Sequence, residues 1–79
     1  MEILFEVLKN MKPAVDVDTF DNAQDLFGEG ILDSLDILNL IKELEEVFHI
    51  MIDFENLSRK DFMTISNIGE MVRRHGVQL

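Results

Sequence analysis

The sequence of 79 residues contains no cysteine, no tryptophan and no tyrosine, and it has a single proline. Without cysteine the chain has no disulfide, no thiolate metal site and no catalytic thiol of its own. No apolar run approaches the roughly 20 residues that span a bilayer, and the first residues have acids where a signal peptide has bases. We therefore expect residues 1–79 to form one small cytoplasmic domain that spans no membrane.

Basic residues are also scarce. Seven bases stand against sixteen acids, and the net charge is -9. Twelve of the acids but a single base, Lys42, lie between Asp16 and Glu55. Nucleic-acid binding needs clustered lysine and arginine, so this charge distribution argues against it. An acidic surface either suits a basic protein partner or only keeps the domain in solution, and composition leaves both interpretations open.

The first half of the chain reads as one helix followed by a long loop. Apolar residues spaced three and four apart predict a helix over residues 2–11, which Pro13 ends. From Ala14 to Asp33 no period holds, and loops of this length are often functional. We expect a short helical turn around Thr19–Leu26. The apolar residues predicted to hold this loop against the helices are Val15, Val17, Phe20, Ala23, Leu26 and Phe27.

The second half predicts two more main helices and a short one. The strongest pattern follows Ser34 and runs to about Phe48. A capping-box pattern at residues 58–61 predicts a short helical turn through Phe62. Thr64 suits the cap of a last helix, which Gly76 ends. The fold class is all-α, a small antiparallel bundle of three main helices plus one short helix, with a long loop between helices 1 and 2. The residues predicted to face its core from the second helix and from the methionines are Ile37, Leu40, Ile41, Leu44, Val47, Phe48, Met11, Met51, Met63 and Met71.

Ser34 lies at the junction between the long loop and the second helix. Serine at such a position is usually an N-cap. Here Asp33 is itself a good N-cap, and Asp36 can reach back as the second carboxylate of a capping box. That arrangement would leave the Ser34 hydroxyl in the first turn with no capping task. Leu35 and Leu38 lie off the main apolar stripe, so they either cover the edge of the core or stay half exposed for a partner.

A hydrolytic role for Ser34 is not supported. The G-x-S-x-G elbow would need glycine at Leu32 and Asp36. The two histidines, His49 and His75, lie about a helix length away or near the end of the chain. We therefore expect no catalytic triad, and we interpret His49 as a surface residue at a helix end.

A calcium loop is not supported either. A loop that starts at Asp25 places Gly30 and Asp36 at the sixth and twelfth positions, but Phe27 at the third position offers no oxygen. A loop that starts at Asp21 places Leu26 where glycine is needed. We expect no specific metal site, and weak divalent binding stays open.

One family combines these features. Residues 32–35 (Leu-Asp-Ser-Leu) and the amphipathic helix over 36–48 resemble the acyl carrier protein family. Residues 50–53 and 61–68 also fall where that family has its third and fourth helices. Asp-Ser-Leu alone is a weak signal, but the resemblance extends over nearly the whole chain and includes its length.

The resemblance implies a non-catalytic carrier. A separate transferase would attach 4'-phosphopantetheine from coenzyme A to Ser34, and the thiol of that arm would hold acyl or aminoacyl groups as thioesters. It implies cargo lodged behind side chains such as Leu40 and Ile41. It also implies delivery to a loading ligase or synthase with a basic docking surface, and we expect a monomer. The positions that match the family's partner contacts are Asp33, Leu35, Asp36, Leu38, Glu45 and Glu46.

The subtype stays open between two alternatives. Leu35-Asp36 after the serine resembles carriers for fatty-acid, polyketide or related secondary-metabolite synthesis. Leu26-Phe27 with residues 30–34, and Phe62 before Met63-Thr64, resemble stand-alone D-alanyl or peptidyl carriers of cell-wall or non-ribosomal peptide chemistry. A rival from another class is an acidic helical adaptor without a cofactor.

Overall fold

Three α-helices form the domain in the computed structural model, which describes residues 2–16, 20, 21 and 23–79. Helix α1 spans Glu2–Met11, α2 spans Ser34–Phe48 and α3 spans Ile65–Arg74. Two short 3₁₀ helices, Phe54–Asn56 and Arg59–Phe62, lie between α2 and α3. None of the described residues forms a strand. The predicted all-α fold with three main helices is confirmed, and the predicted short helix is the second 3₁₀ helix.

A single core joins the three helices. From roughly 1.5–3 kcal/mol for each fully buried large apolar side chain, this core provides most of the drive for folding. Its α3 face is the most completely buried, because Ile65, Met71 and Val72 expose none of their surface. The long loop and the segment between α2 and α3 also contribute core residues. The buried hydrophobic side chains are Leu4, Val7, Leu8, Leu26, Leu32, Leu40, Ile41, Leu44, Ile52, Phe62, Ile65, Ile68, Met71 and Val72.

The ends of α2 and α3 follow the predicted signals. The side chain of Thr64 accepts a hydrogen bond from the Asn67 N–H at 3.0 Å and caps α3. After α3, Gly76 adopts a φ of +92°, which favours glycine. At the end of α2, His49 adopts the left-handed conformation with φ 54°, and its N–H donates to the Glu45 carbonyl. His49 is exposed, as predicted for a residue at a helix end.

Some of the predicted core residues lie on the surface. Met51 is 89% exposed, so the prediction that it packs in the core was wrong. It lies in an extended segment in which the next residue, Ile52, is buried, and successive side chains of an extended chain point to opposite sides. Val47 is 37% exposed, and Ala23 is exposed.

The long loop between α1 and α2 matches its prediction in part. Leu26 is fully buried, and three further predicted contacts, Val15, Phe20 and Phe27, pack against the core. Val17 lies outside the described residues. The predicted helical turn around Thr19–Leu26 also falls partly outside them, and the residues just before Leu26 are not helical.

Candidate functional site

The loop that leads to Ser34 is fixed at one buried residue, Leu26. Its N–H donates to the Met63 carbonyl at 2.7 Å, and its carbonyl accepts from Ile31 at 2.9 Å and Leu32 at 3.0 Å. These bonds supply partners for backbone groups that burial removes from water. The side chain of Leu26 is itself inaccessible to solvent. The loop before Ser34 is therefore held against the segment between the second 3₁₀ helix and α3, although the loop contains no regular helix.

Two glycines in the loop before Ser34 are required for different reasons. Gly30 adopts a φ of +73°, a conformation that side chains with a Cβ rarely adopt. Gly28 is needed because a Cβ there would collide with the carboxylate of Asp25. That carboxylate accepts hydrogen bonds from the N–H groups of Phe27 at 3.1 Å and Gly28 at 2.9 Å. A side chain at position 28 would therefore disturb the bonds that form the turn.

A capping box begins α2, as the sequence predicted. The Asp36 N–H donates to Asp33 Oδ1 at 3.0 Å, and the Asp33 N–H donates to Asp36 Oδ2 at 3.0 Å. Asp33 is the extended N-cap residue, and Ser34 is the first residue of the helix. The two aspartates thus perform the capping that a serine often performs.

An ion pair joins this capping box to the end of α1. Lys12 Nζ lies 2.8 Å from Asp36 Oδ2, and both side chains are half-buried. Partial burial raises the pKa of Asp36, but the hydrogen bond and charge of Lys12 and the Asp33 N–H outweigh it, so the pKa lies below its ordinary value. Asp36 therefore stays ionised and holds the start of α2 to α1.

Ser34 is exposed at the start of α2. Among the described residues, its hydroxyl has no hydrogen-bond partner, because the two aspartates already form the cap. The N-terminus of a helix also favours a negatively charged group nearby. The hydroxyl is consequently accessible to another protein and can accept a covalent substituent without loss of an internal contact.

An open cavity of about 430 Å³ lies beside Ser34, between the start of α2 and the 3₁₀ helices. Its walls are mainly apolar, and Arg59 is the one cationic residue among those that line it. The Arg59 guanidinium stacks on the Phe27 ring, with Cζ 4.6 Å from the ring centroid. The residues that line the cavity are Phe27, Leu32, Asp33, Ser34, Ile37, Leu38, Leu57, Ser58, Arg59 and Phe62.

The predicted partner residues fall into two structural groups. Leu35 and Leu38 are 72% and 54% exposed, and Asp33 and Glu46 are also exposed. Asp36 is bound by Lys12. The Glu45 carboxylate accepts a hydrogen bond from the Ile52 N–H at 2.9 Å, which ties the segment after α2 to the helix. The side chains of Asp36, Glu45 and Asp33 thus have partners inside the domain. Those of Leu35, Leu38 and Glu46 have none among the described residues.

Sequence reasoning missed several residues at the site. Phe27 was interpreted only as a loop contact, and Arg59 was assigned no role. Leu40 and Ile41, expected next to the cargo, lie in the packed core and do not line this cavity. Its α2 wall is formed by Ile37 and Leu38, one turn closer to Ser34. Arg59 lies just beyond the acidic stretch and next to Lys60, so the sequence pattern did not distinguish it or place it beside the serine.

Within the described parts of the chain, no group of three histidine or acidic side chains could hold a metal ion. None of the helices there combines the length and the hydropathy that a membrane span requires. The groups that the site offers are therefore a free hydroxyl, two carboxylates, an apolar cavity and one guanidinium. This set fits a covalently attached, flexible group that carries a negative charge next to the serine.

Comparison with known proteins supports this interpretation. The family model for the phosphopantetheine attachment site matches residues 6–74. A D-alanyl carrier protein of Streptococcus uberis is 42% identical over 50 residues, which is 63% of each chain. One from Streptococcus pyogenes is 42% identical over 45 residues, or 57% of each chain. The matches thus span less than two thirds of these curated relatives.

The fold has a solved counterpart. The solution NMR structure of a holo acyl carrier protein from Nitrosomonas europaea superposes with a TM-score of 0.79. It is 25% identical in sequence, and the match covers 92% of this chain and 90% of the other. The likeness extends over all three helices, since nearly the whole chain is covered.

Proposed function

Since this chain belongs to the phosphopantetheine attachment site family, we propose that Ser34 Oγ is the atom that bears the phosphopantetheine arm. The observation that supports this assignment is the exposed hydroxyl in the first turn of α2, released from capping by Asp33 and Asp36. An exposed serine that had to cap the helix would lose that bond on modification. Ser34 has no such bond to any described residue.

We propose further that the chain is a carrier and not an enzyme. When bound, the arm supplies a thiol, which a chain without cysteine lacks, and that thiol forms thioesters with the cargo. Ser34 holds the arm, and the loop around Leu26 fixes where the arm leaves the domain. No histidine lines the cavity beside Ser34 in the described part of the chain, and the carboxylate there, that of Asp33, already caps α2.

For the cargo, the proposal favours an aminoacyl group, with D-alanine first. The support is the 42% identity to streptococcal D-alanyl carrier proteins across the stretches that match. In this proposal the chain is loaded by a ligase in the cytoplasm, in keeping with the location expected from the sequence. The loaded domain then delivers its thioester to a second enzyme.

A second candidate is an apolar acyl cargo. The observation in its favour is the open cavity beside Ser34, with apolar walls that include Ile37, Leu38 and Phe62. The likeness to a holo acyl carrier protein fits the same candidate. An acyl chain in this cavity would be shielded from water, whereas an aminoacyl group with its charged ammonium would gain nothing there.

The docking surface that we propose is the exposed side of α2, from the residues around Ser34 to Glu46 near the end of the helix. Leu35 and Leu38 offer apolar contact, and Asp33 and Glu46 offer charge to basic surfaces of the transferase and the loading ligase. Asp36 and Glu45 act in this proposal mainly inside the domain, through Lys12 and the Ile52 N–H. Their contribution to partners is correspondingly smaller than the sequence suggested.

The attachment is tested by mass. The apo protein is incubated with coenzyme A and a phosphopantetheinyl transferase of broad specificity, and the product is weighed intact. We expect a gain of one phosphopantetheine per chain in the wild type and none in Ser34→Ala. The matched control is Ser66→Ala, which removes another exposed hydroxyl near the start of a helix. No gain in the wild type would refute the assignment and leave the acidic adaptor, whereas an equal gain in Ser34→Ala would place the arm on another residue.

The cargo is tested with the holo protein. D-alanine ligases, other aminoacyl ligases and acyl ligases are each supplied with ATP and their substrate, and thioester formation is read from hydroxylamine-sensitive mass. Faster loading with D-alanine than with any fatty acid supports the first candidate. Preferential loading with a fatty acid supports the second, and Phe62 and Ile37 amide shifts on loading would then place the chain in the cavity.

A further inference from the structure

We propose that Arg59 binds the phosphate that joins the arm to Ser34. The inference rests on the proposed function, since it needs a phosphodiester on that serine. It assigns to this residue a role in positioning the first part of the arm against the second 3₁₀ helix. The arm would then be held at its base and free at its thiol end.

The first support is the placement of Arg59. It lines the same cavity as Ser34, on the wall formed by the second 3₁₀ helix. Arg59 is exposed, and it forms no ion pair with any described residue. The cation is therefore available to a new anion in the cavity.

The second support is the stacking on Phe27. With Cζ 4.6 Å from the ring centroid, the guanidinium lies within the range of a cation–π contact. Stacking on an aromatic face restricts a long side chain that is otherwise free in solvent, so less conformational entropy remains to be lost on binding. A guanidinium keeps its N–H donors in its plane for an anion even when one face is stacked.

The third support is the charge around Ser34. A phosphodiester there carries a negative charge next to Asp33 and near Asp36, so the local acids repel it. Lys12, the cation at the end of α1, is already paired with Asp36. Of the residues that line the cavity, Arg59 is the one that can offset the new charge, and phosphate suits the planar fork of arginine better than the point charge of lysine.

The test uses phosphorus NMR on holo proteins. Wild type, Arg59→Gln and Lys60→Gln are converted with the transferase, and complete conversion is verified by intact mass. Lys60 is the matched control, because it is the next residue of the same 3₁₀ helix, is exposed and does not line the cavity. We expect the phosphorus resonance of Lys60→Gln to coincide with that of the wild type. In Arg59→Gln it should move toward the resonance of free phosphopantetheine diester in water.

A thermal measurement gives a second readout. In the wild type, conversion from apo to holo should raise the Tm by roughly 1–8 °C more than it does in Arg59→Gln, the range expected for one exposed charge pair in a domain of this size. Phe27→Leu, which keeps an apolar side chain but removes the aromatic face, should lose part of that difference. Added salt should reduce it in the wild type.

The outcomes separate this inference from the proposed function. If the wild type gains no mass, both fail. If it gains mass but the phosphorus resonance and the apo-to-holo Tm change are the same in wild type and Arg59→Gln, the arm is attached and the role of Arg59 is refuted. A displaced resonance in Lys60→Gln equal to that in Arg59→Gln would also overturn it, because the effect would then be one of net charge.

Discussion

Two helices of the domain begin with a similar hydrogen bond, from a backbone N–H to the aspartate three residues later, but the residues that follow differ in their burial. At the start of α2 the Asp33 N–H donates to Asp36, and at the second 3₁₀ helix the Ser58 N–H donates to Asp61 at 2.9 Å. Each second aspartate is then paired with a cation at or just beyond the end of another helix. Lys12 follows α1 and lies 2.8 Å from Asp36, and Arg74 ends α3 and lies 2.7 Å from Asp61.

The two boxes differ in the side chains that each one positions. The box at Asp33 encloses Ser34 and Leu35, which face solvent, with Leu35 72% exposed. The box at Ser58 leads to Phe62, which is 2% exposed and packs in the core. An aspartate that accepts the N–H three residues before it thus precedes side chains exposed to solvent in one place and a core residue in the other. Substitutions at matched positions should separate stability from modification.

The largest effect on stability should come from Phe62, the buried residue at the end of the second 3₁₀ helix. Phe62→Ala removes a large buried side chain from the core and should lower the free energy of unfolding by about 3–5 kcal/mol. Urea unfolding followed by circular dichroism measures this loss. A loss below about 1 kcal/mol would show that the second 3₁₀ helix does not anchor the domain.

The next effect compares two N-caps. Asp33→Ala and Thr64→Ala each remove a side chain that accepts a helix N–H at 3.0 Å, and each should cost about 1 kcal/mol. Asp33→Ala should also slow the modification of Ser34, because it frees the first turn of α2 and removes an exposed charge. Transferase rates well below the unfolding temperature measure this difference. Equal rates in the two variants would show that the α2 cap has no role beyond stability.

Acid should weaken both boxes. The Ser58 N–H and the Arg74 guanidinium hold the pKa of Asp61 below its ordinary value, in spite of partial burial, and the pKa of Asp36 is lowered as well. Groups with a lowered folded-state pKa stabilise the fold above the unfolded pKa, about 3.9 for aspartate, and that contribution is lost as pH falls through the folded value.

We therefore expect the free energy of unfolding to decline below about pH 4. Lys12→Met and Arg74→Met should each make this decline shallower, by a few tenths to about 1 kcal/mol for partly exposed pairs. Urea unfolding from about pH 3 to about pH 7, a range that includes the titration of aspartate, measures the slope. The same slope in the wild type and both variants would show that the two ion pairs do not contribute to the loss of stability in acid.

The smallest effect on stability should come from Leu35, an exposed residue in the first turn of α2. Leu35→Ala and Met51→Ala both shorten exposed side chains, so each should change stability by less than about 0.5 kcal/mol. Leu35→Ala should nevertheless slow loading by the ligase, whereas Met51→Ala serves as the matched control outside α2. Slower loading in both variants to the same extent would place the docking surface elsewhere or make it wider.

Local spacing was enough to predict the helices and the α2 cap. The limits of α2 follow from apolar residues three and four apart, and Asp33 with Asp36 forms the predicted box. The side chains in such patterns are separated by a turn or less, so the helix geometry fixes their relation. The same reasoning predicted that the Ser34 hydroxyl has no capping role, because Asp33 and Asp36 can form the cap without it.

Contacts between distant parts of the chain could not be predicted in this way. Lys12 reaches Asp36, and Arg59 reaches Phe27, only because the packed helices bring their backbones together. The cavity beside Ser34 has the same origin, since its walls come from the loop, from α2 and from the segment before α3. Periodicity gives the face of a helix but not the neighbour that this face meets.

The bonds of Leu26 bear on how the domain moves. The Leu26 N–H donates to the carbonyl of Met63, which lies between the second 3₁₀ helix and α3, so exchange of that hydrogen for deuterium requires the loop to separate from this segment. If the loop opens by itself, the amide exchanges much faster than the buried amides of α3, and the free energy of that opening can be measured without unfolding. If it exchanges at the same rate, the loop and the bundle form one cooperative unit. Exchange of the Leu26 amide hydrogen thus reports whether the loop before Ser34 is rigid or opens locally.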